Sequence, residues 1–163
     1  MNNPCSEVRI SLVKIRWKLF LLGLFKIPLI FFVSPKIISI SSETCIVKIK
    51  LKRRTKNHIN SMYFGALAVG ADVAAGIHAY YLSEIYQNKI TLAFKSLSAE
   101  FLKRAETDVT FTCDEGKKIA TIIEKSKLED QRINDMVEVL AYNSTNEIVA
   151  KFKMELSIKV LNP

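Results

Sequence analysis

The chain has 163 residues, of which 49% are hydrophobic and 25% charged. That balance excludes a disordered tail and suits one domain with its own core. Cys5, Cys45 and Cys113 are odd in number and far apart, with no C-x-x-C pair, and the histidines are two, His58 and His78. These counts argue against a disulfide framework and give no basis for a metal site, and they make a reducing cytoplasm the expected location. The net charge of +8 is unevenly spread. Residues 1–56 carry 12 Lys and Arg against 2 Asp and Glu, net +10, while residues 57–163 carry 12 against 14, net −2. A basic first third predicts an anionic partner: a membrane surface, a nucleic acid or a phosphate-bearing ligand.

Arg9 to Phe25 has helical spacing, with Leu12, Ile15, Leu19 and Leu22 on one face and Lys14 and Lys18 off it. The apolar run Leu19 to Val33 is broken by Lys26 and Pro28 and closed by Pro35. It is shorter than the roughly 20 residues a bilayer span needs, and no small-x-small cleavage site stands near Ser34. It reads as a greasy helix and loop packed on a core or a partner subunit, with membrane-surface contact through residues 11–33 left open.

From Ile37 to Arg54 the residues are β-branched and alternating. Val47, Ile49 and Leu51 point one way and Lys48, Lys50 and Lys52 the other, which predicts a half-buried strand. The basic end Arg53-Arg54-Thr55-Lys56 has no interleaved aromatics and no nucleic-acid-binding signature, so nucleic acid is an unlikely partner.

A helix follows over about Ser61 to Ser83, with Asn60 or Ser61 as N-cap. Its first half, Gly65 to Gly76, is almost all small and apolar. Gly65, Gly70 and Gly76 each cost about 1 kcal/mol relative to Ala in a helix, so a close approach should offset them. Asp72, the one carboxylate among them, is expensive to bury unless paired or used. Beyond Asn88 the spacing predicts a strand over Ile90–Lys103, bent near Ser96-Leu97-Ser98, and another over Arg104–Cys113. Lys117–Lys127 reads as a short amphipathic helix or a crossover. Arg132–Tyr142 and Glu147–Leu161 read as strands joined by the loop Asn143–Asn146. Their core face draws on Met136, Val137, Val139, Ala141, Ile148, Ala150, Phe152 and Met154. Cys45 and Cys113 read as small buried hydrophobes on strands. The order predicts an α+β domain, a long helix wrapped by an antiparallel sheet.

Residues 57–72 carry a resemblance. Asn57-His58-Ile59-Asn60-Ser61-Met62-Tyr63-Phe64-Gly65, followed by Asp72, resembles the motif N-H-x-G-T-x-H-G-G-x-x-x-x-L-x-D of the hotdog-fold thioesterase superfamily, in its phenylacetyl-CoA-type branch. The likeness spans about residues 36–160, and the apolar N-terminal helix is similar to an uncharacterised small bacterial branch. Tyr63-Phe64 stand where the family has His-Gly, and Asn60 replaces a glycine. The resemblance implies a hotdog domain over 36–163, with an added helix and loop over 1–35 and a sheet of about five to six strands. It implies a homodimer, or a dimer of dimers, hydrolysing acyl-CoA or another acyl thioester. No cofactor is implied beyond the coenzyme A moiety of the substrate.

On that reading Asp72 acts as general base or nucleophile, and the amides of Phe64 and Gly65 at the helix start hold the oxyanion. Asn57 and His58 orient water or thioester. Tyr63, Asn60 and Ser61 touch the substrate, and Arg53 and Arg54 meet its phosphates. Gly65 and Asp72 lie about 10 Å apart along one helix, so the resemblance places acid and amides on different subunits. Two alternatives from other classes are a catalytically silent hotdog protein that binds an acyl group or lipid, and a small basic membrane-associated protein.

Overall fold

The computed structural model of the protein describes residues 11–161, so Cys5, Arg9 and Ile10 lie outside the described residues. The elements in chain order are helices α1 (Leu12–Phe25) and α2 (Pro28–Val33), strands β1 (Lys36–Ile40) and β2 (Cys45–Ile49), helix α3 (Phe64–Ile85), strands β3 (Lys89–Phe101) and β4 (Val109–Cys113), helix α4 (Gly116–Glu129), and strands β5 (Ile133–Tyr142) and β6 (Ile148–Leu161). Side-chain alternation builds the sheet. Along β2, Cys45, Val47 and Ile49 are buried, and along β4, Val109, Phe111 and Cys113 are. The strands join in the order β1-β2-β4-β5-β6-β3, every pair antiparallel. Cys45 and Cys113 are register partners across β2 and β4, both free thiols and both fully buried.

The single strand expected over Ile37–Arg54 is two strands. The chain reverses at Ser41–Thr44, where the Ser41 amide donates to the Thr44 carbonyl at 2.9 Å and the Ser41 hydroxyl accepts from the Thr44 amide at 3.1 Å. A serine-closed turn lacks the Gly or Pro that marks most turns in a sequence. β4 begins at Val109 instead of Arg104, because Ala105 is held by the loop before α3: the Met62 amide donates to its carbonyl at 2.7 Å. The bend expected in β3 is a register shift between Phe94 and Ser96. Val137, Val139, Ala141, Ala150, Phe152 and Met154 are buried as expected. Met136 is 42% exposed and Ile148 half-buried, since alternation puts Met136 on the face opposite Val137.

α3 packs across β2, β4 and β5, and α4 lies beside it over β5 and β6. Small residues permit this close packing. A Cβ on Gly70 would stand 2.3 Å from ring carbons of the fully buried Phe111. α1 and α2 form a helical hairpin, broken at Lys26 and Pro28 as the sequence suggests. At Gly23 a Cβ would lie 2.9 Å from the Phe31 backbone nitrogen, so the two helices approach backbone to backbone. Ile15, Leu19, Ile30 and Val33 are buried, whereas Leu22, expected on the same face, is exposed. Arg16 Nε donates to the Ile37 carbonyl at 2.9 Å, anchoring α1 to β1. Among the described residues no helix is long and apolar enough to cross a membrane.

Candidate active site

The segment between β2 and α3 is a loop held mainly by its own polar atoms. Thr55, which is buried, takes a hydrogen bond from the Lys52 amide at 2.9 Å and gives one to the Lys50 carbonyl at 2.8 Å. Asn57 Oδ1 accepts from the amides of Ile59 at 3.0 Å and Ser61 at 3.1 Å, closing an Asx turn in which Asn60 is left-handed with φ 61°. Ser61 is buried, and its hydroxyl accepts from Arg104 Nε at 3.0 Å. The same guanidinium donates to the Ile59 carbonyl at 2.6 Å. Asn57 and Ser61 are therefore committed to the loop, while His58 and Asn60 are exposed.

The loop delivers the chain to the start of α3. The N-cap is Tyr63, two to three residues later than expected, and it has no capping side chain. Ser61 is not the cap: its hydroxyl accepts from Arg104, and the amides of Met62 and Tyr63 after it donate outside the helix, to the carbonyls of Ala105 at 2.7 Å and Thr55 at 2.8 Å. The Tyr63 carbonyl accepts from Ala66 and Leu67, at 2.9 and 3.1 Å. The amides of Phe64 and Gly65 have no acceptor among the described residues, so two donors point outward at the positive end of a 22-residue helix. The rings of Tyr63 and Phe64, 4.7 Å apart and both exposed, stand over this terminus. Asn57, His58, Tyr63 and Phe64, with Phe101 and Arg104, line an open depression of about 570 Å³ where β3 ends.

Asp72 lies two turns further along α3 and opens into a different cavity, also about 570 Å³. Its walls are mostly apolar, with Leu19, Leu22, Phe25 and Ile30 from the N-terminal hairpin, Ile77 from α3 and Leu92 from β3, and Lys18, Lys26 and Tyr80 also stand in the lining. Gly76 leaves the floor open, since a Cβ there would meet only a Phe94 ring carbon at 3.8 Å. Asp72 is the one carboxylate lining the cavity and has no hydrogen-bond or ion-pair partner among the described residues. Burial pushes its carboxyl above the usual carboxylate range, as expected of a charge facing apolar walls.

Within one chain the expected residues thus fall into two groups. Asn57, His58, Ser61, Tyr63 and Phe64 share the depression at the helix start, Asp72 faces the cavity under the hairpin, and Asn60 and Gly65 line neither. Arg53 and Arg54 sit on the exposed turn before the loop and line neither hollow. The structure adds residues the sequence did not single out. Arg104 and Thr55 brace the loop, and Lys18, Tyr80 and Glu84 tie the hairpin to α3 at the edge of the cavity. Nothing in the spacing marks Arg104, which acts across 43 positions. Of the histidines, His78 is fully buried; its Nε2 donates to the Ser41 carbonyl at 3.1 Å and its Nδ1 has no partner. Among the described residues no group of His, Cys, Asp and Glu is arranged to hold a metal ion.

The architecture has solved counterparts. PA5026 of Pseudomonas aeruginosa, a protein of unknown function described as a probable thioesterase, superposes with a TM-score of 0.75 at 17% identity, over 96% of this chain and 100% of that one. The protein OLEI01261 of unknown function from Chlorobaculum tepidum gives 0.80 at 15% identity, over 93% and 98%. The thioesterase HI1161 of Haemophilus influenzae gives 0.67 at 12% identity, over 96% of each. At these identities the likeness is one of fold, and the fold is the hotdog: a long helix on an antiparallel sheet. No curated protein matches the chain in sequence. A family model, the domain of unknown function DUF4442, matches residues 16–158, most of the N-terminal hairpin included, and the chain belongs to that family.

Proposed function

We propose that the protein hydrolyses acyl thioesters of the acyl-CoA type at a site shared by two copies of the chain. The observation that carries this reading is Asp72. It is an unpartnered carboxylate at an apolar cavity, on the same helix whose start leaves two amides free. The family fold, shared with proteins described as thioesterases, supports it. Asp72 and the free amides are about 10 Å apart along α3 and open into separate hollows, so one reacting carbonyl cannot reach both in a single chain. A second copy brings its Asp72 to the first copy's helix start. The free outer edge of the 13-residue β3 is the natural place for two copies to pair.

At such a site the acyl chain lies in the apolar cavity and the thioester carbonyl meets the Phe64 and Gly65 amides. Asp72 takes a proton from water, whose oxygen attacks the carbonyl carbon. The C–S bond then breaks, and the thiolate leaves to be protonated. Alternatively Asp72 attacks the carbonyl carbon directly, the C–S bond breaks and the thiolate leaves to be protonated, and water then cleaves the resulting anhydride to free acid and Asp72. His58 is free to orient water or substrate, while Asn57 acts through the loop. Arg53 and Arg54, exposed with Lys50, Lys52 and Lys56 on the same segment, would meet the coenzyme A phosphates.

The test follows thiol release from a panel of acyl-CoAs. Asp72→Asn should abolish turnover with the circular dichroism spectrum unchanged, and unaltered turnover would remove Asp72 from the mechanism. A second reading, a silent acyl-binding protein, is favoured by Tyr63 and Phe64, whose rings crowd the helix start. Calorimetric binding of acyl-CoAs with no thiol release from the native protein would establish it.

A further inference from the structure

The outer face of the N-terminal hairpin points to a membrane-docking surface, and we propose that it lies on an anionic lipid bilayer. α1 is apolar on two sides. Ile15 and Leu19 face the core, while Val13, Trp17, Phe20 and Leu24, spaced one helical stripe apart, face outward. A second apolar stripe, on the side away from the core, has no counterpart to pack against among the described residues. Here Trp17 is 61% and Phe25 72% exposed, and α2 adds Leu29, Phe31 and Phe32, all exposed.

The patch is continuous across both helices. Trp17 stacks on Phe20 at 5.4 Å, and Phe20 meets Phe31 edge-on at 5.9 Å. Exposed apolar surface of this kind marks an interaction site.

Charge selects the occupant. Between Glu7 and Glu43 the chain has six Lys and Arg and no Asp or Glu. Lys14, Arg16, Lys26 and Lys36 are exposed around the patch, and Arg16 and Lys36 line a hollow of about 510 Å³ beside Phe20 and Phe31. Lys14 reaches Glu84 at 3.7 Å, whereas Arg16, Lys26 and Lys36 meet no carboxylate among the described residues, so a second copy seated on this face would bring those cations together uncompensated. A bilayer rich in anionic lipid offers both a phase for the aromatic rings and a counter-charge for the rim. Helices of 14 and 6 residues are too short to span, so contact would be with the bilayer surface.

Trp17 is the only tryptophan in the chain, so its fluorescence reads this face alone. The full chain is mixed with phosphatidylcholine vesicles with and without phosphatidylserine. The expected result is a blue shift of Trp17 emission and co-sedimentation with the phosphatidylserine vesicles, both weakened by added salt. Phe32→Asp should lower partitioning about tenfold or more with the circular dichroism spectrum unchanged. Lys26→Glu, at an exposed turn, should lower it by a similar factor and guards against a folding defect in the first variant. Three outcomes overturn the proposal: no shift with either vesicle, equal binding to both, or a blue shift without vesicles that grows with protein concentration. None of these readouts depends on hydrolysis.

Discussion

Lys18 of α1 holds Glu84 of α3, with Nζ 3.0 Å from Oε2. The Tyr80 hydroxyl donates to the other oxygen of that carboxylate at 3.0 Å, and the ammonium lies 4.7 Å from the Tyr80 ring centroid. Burial raises the Glu84 carboxyl, but the hydrogen bonds from Lys18 and Tyr80 outweigh it and hold the group below the usual range. This link closes one side of the cavity that Asp72 faces. The pair is about a third exposed, so Glu84→Gln should cost under about 1 kcal/mol of global stability. Its effect should instead be local, with faster amide exchange across α1 measured by hydrogen–deuterium mass spectrometry.

A shared site predicts rescue between two dead proteins. Phe64→Pro deletes one of the two free amides. The helix should tolerate it, because Phe64 is the first helical position and Tyr63 before it is already extended, at φ −64° and ψ 137°. Phe64→Pro and Asp72→Asn should each be inactive on acyl-CoAs. Refolded together, they should recover about a quarter of the native rate, because a mixed dimer keeps one intact site. A mixture as inactive as its parts would exclude a site built from two subunits.

The buried carboxyl of Asp72 carries a sign that can be checked. Its folded pKa lies above the unfolded value through loss of hydration, so the folded state holds the proton more tightly. Stability on its account is complete at low pH and is lost as pH rises through the two values, leaving a penalty at neutral pH. Asp72→Asn should therefore raise the melting temperature at pH 7 while removing turnover. On the proposed mechanism, thioester hydrolysis should fall on acidification at a pH above that of an ordinary carboxylate, since Asp72 must be ionised to act as base.

His78 works in the opposite direction. Burial pushes its pKa down to about 4, only partly offset by the hydrogen bond to the Ser41 carbonyl. The unfolded chain takes up a proton near pH 6.5 and the folded one does not until about 4, so stability is full above the first value and declines between them. The loss by pH 4 amounts to about 3 kcal/mol. Urea unfolding across this window should show the decline in the native protein and a flatter profile in His78→Gln.

Much of the fold was legible because it rests on periodicity. Cys45, Val47 and Ile49, then Val109, Phe111 and Cys113, alternate strictly and are buried accordingly. The run from Gly65 to Gly76 is small-residued because Phe111 packs against Gly70. The boundaries were less legible wherever a distant partner sets them. Ser61 looks like a helix cap, but Arg104 takes its hydroxyl and the helix starts at Phe64. The turn at Ser41–Thr44 closes through a serine side chain, which composition alone does not separate from strand. In the candidate site, Asp72 stood out as a lone charge on an apolar helix. That it faces a different hollow from His58 and Phe64 depends on how the hairpin folds over α3, which local spacing does not encode.

Cys45 and Cys113 face each other at one end of the β2–β4 ladder, and burial raises both thiols, that of Cys113 to about 12. Neither sulfur becomes a thiolate at neutral pH while β2 and β4 stay zipped, so neither meets an alkylating reagent. In a Cys5→Ser background the two should be labelled together, at the rate at which these strands part. That makes the pair a built-in clock for the opening of the sheet.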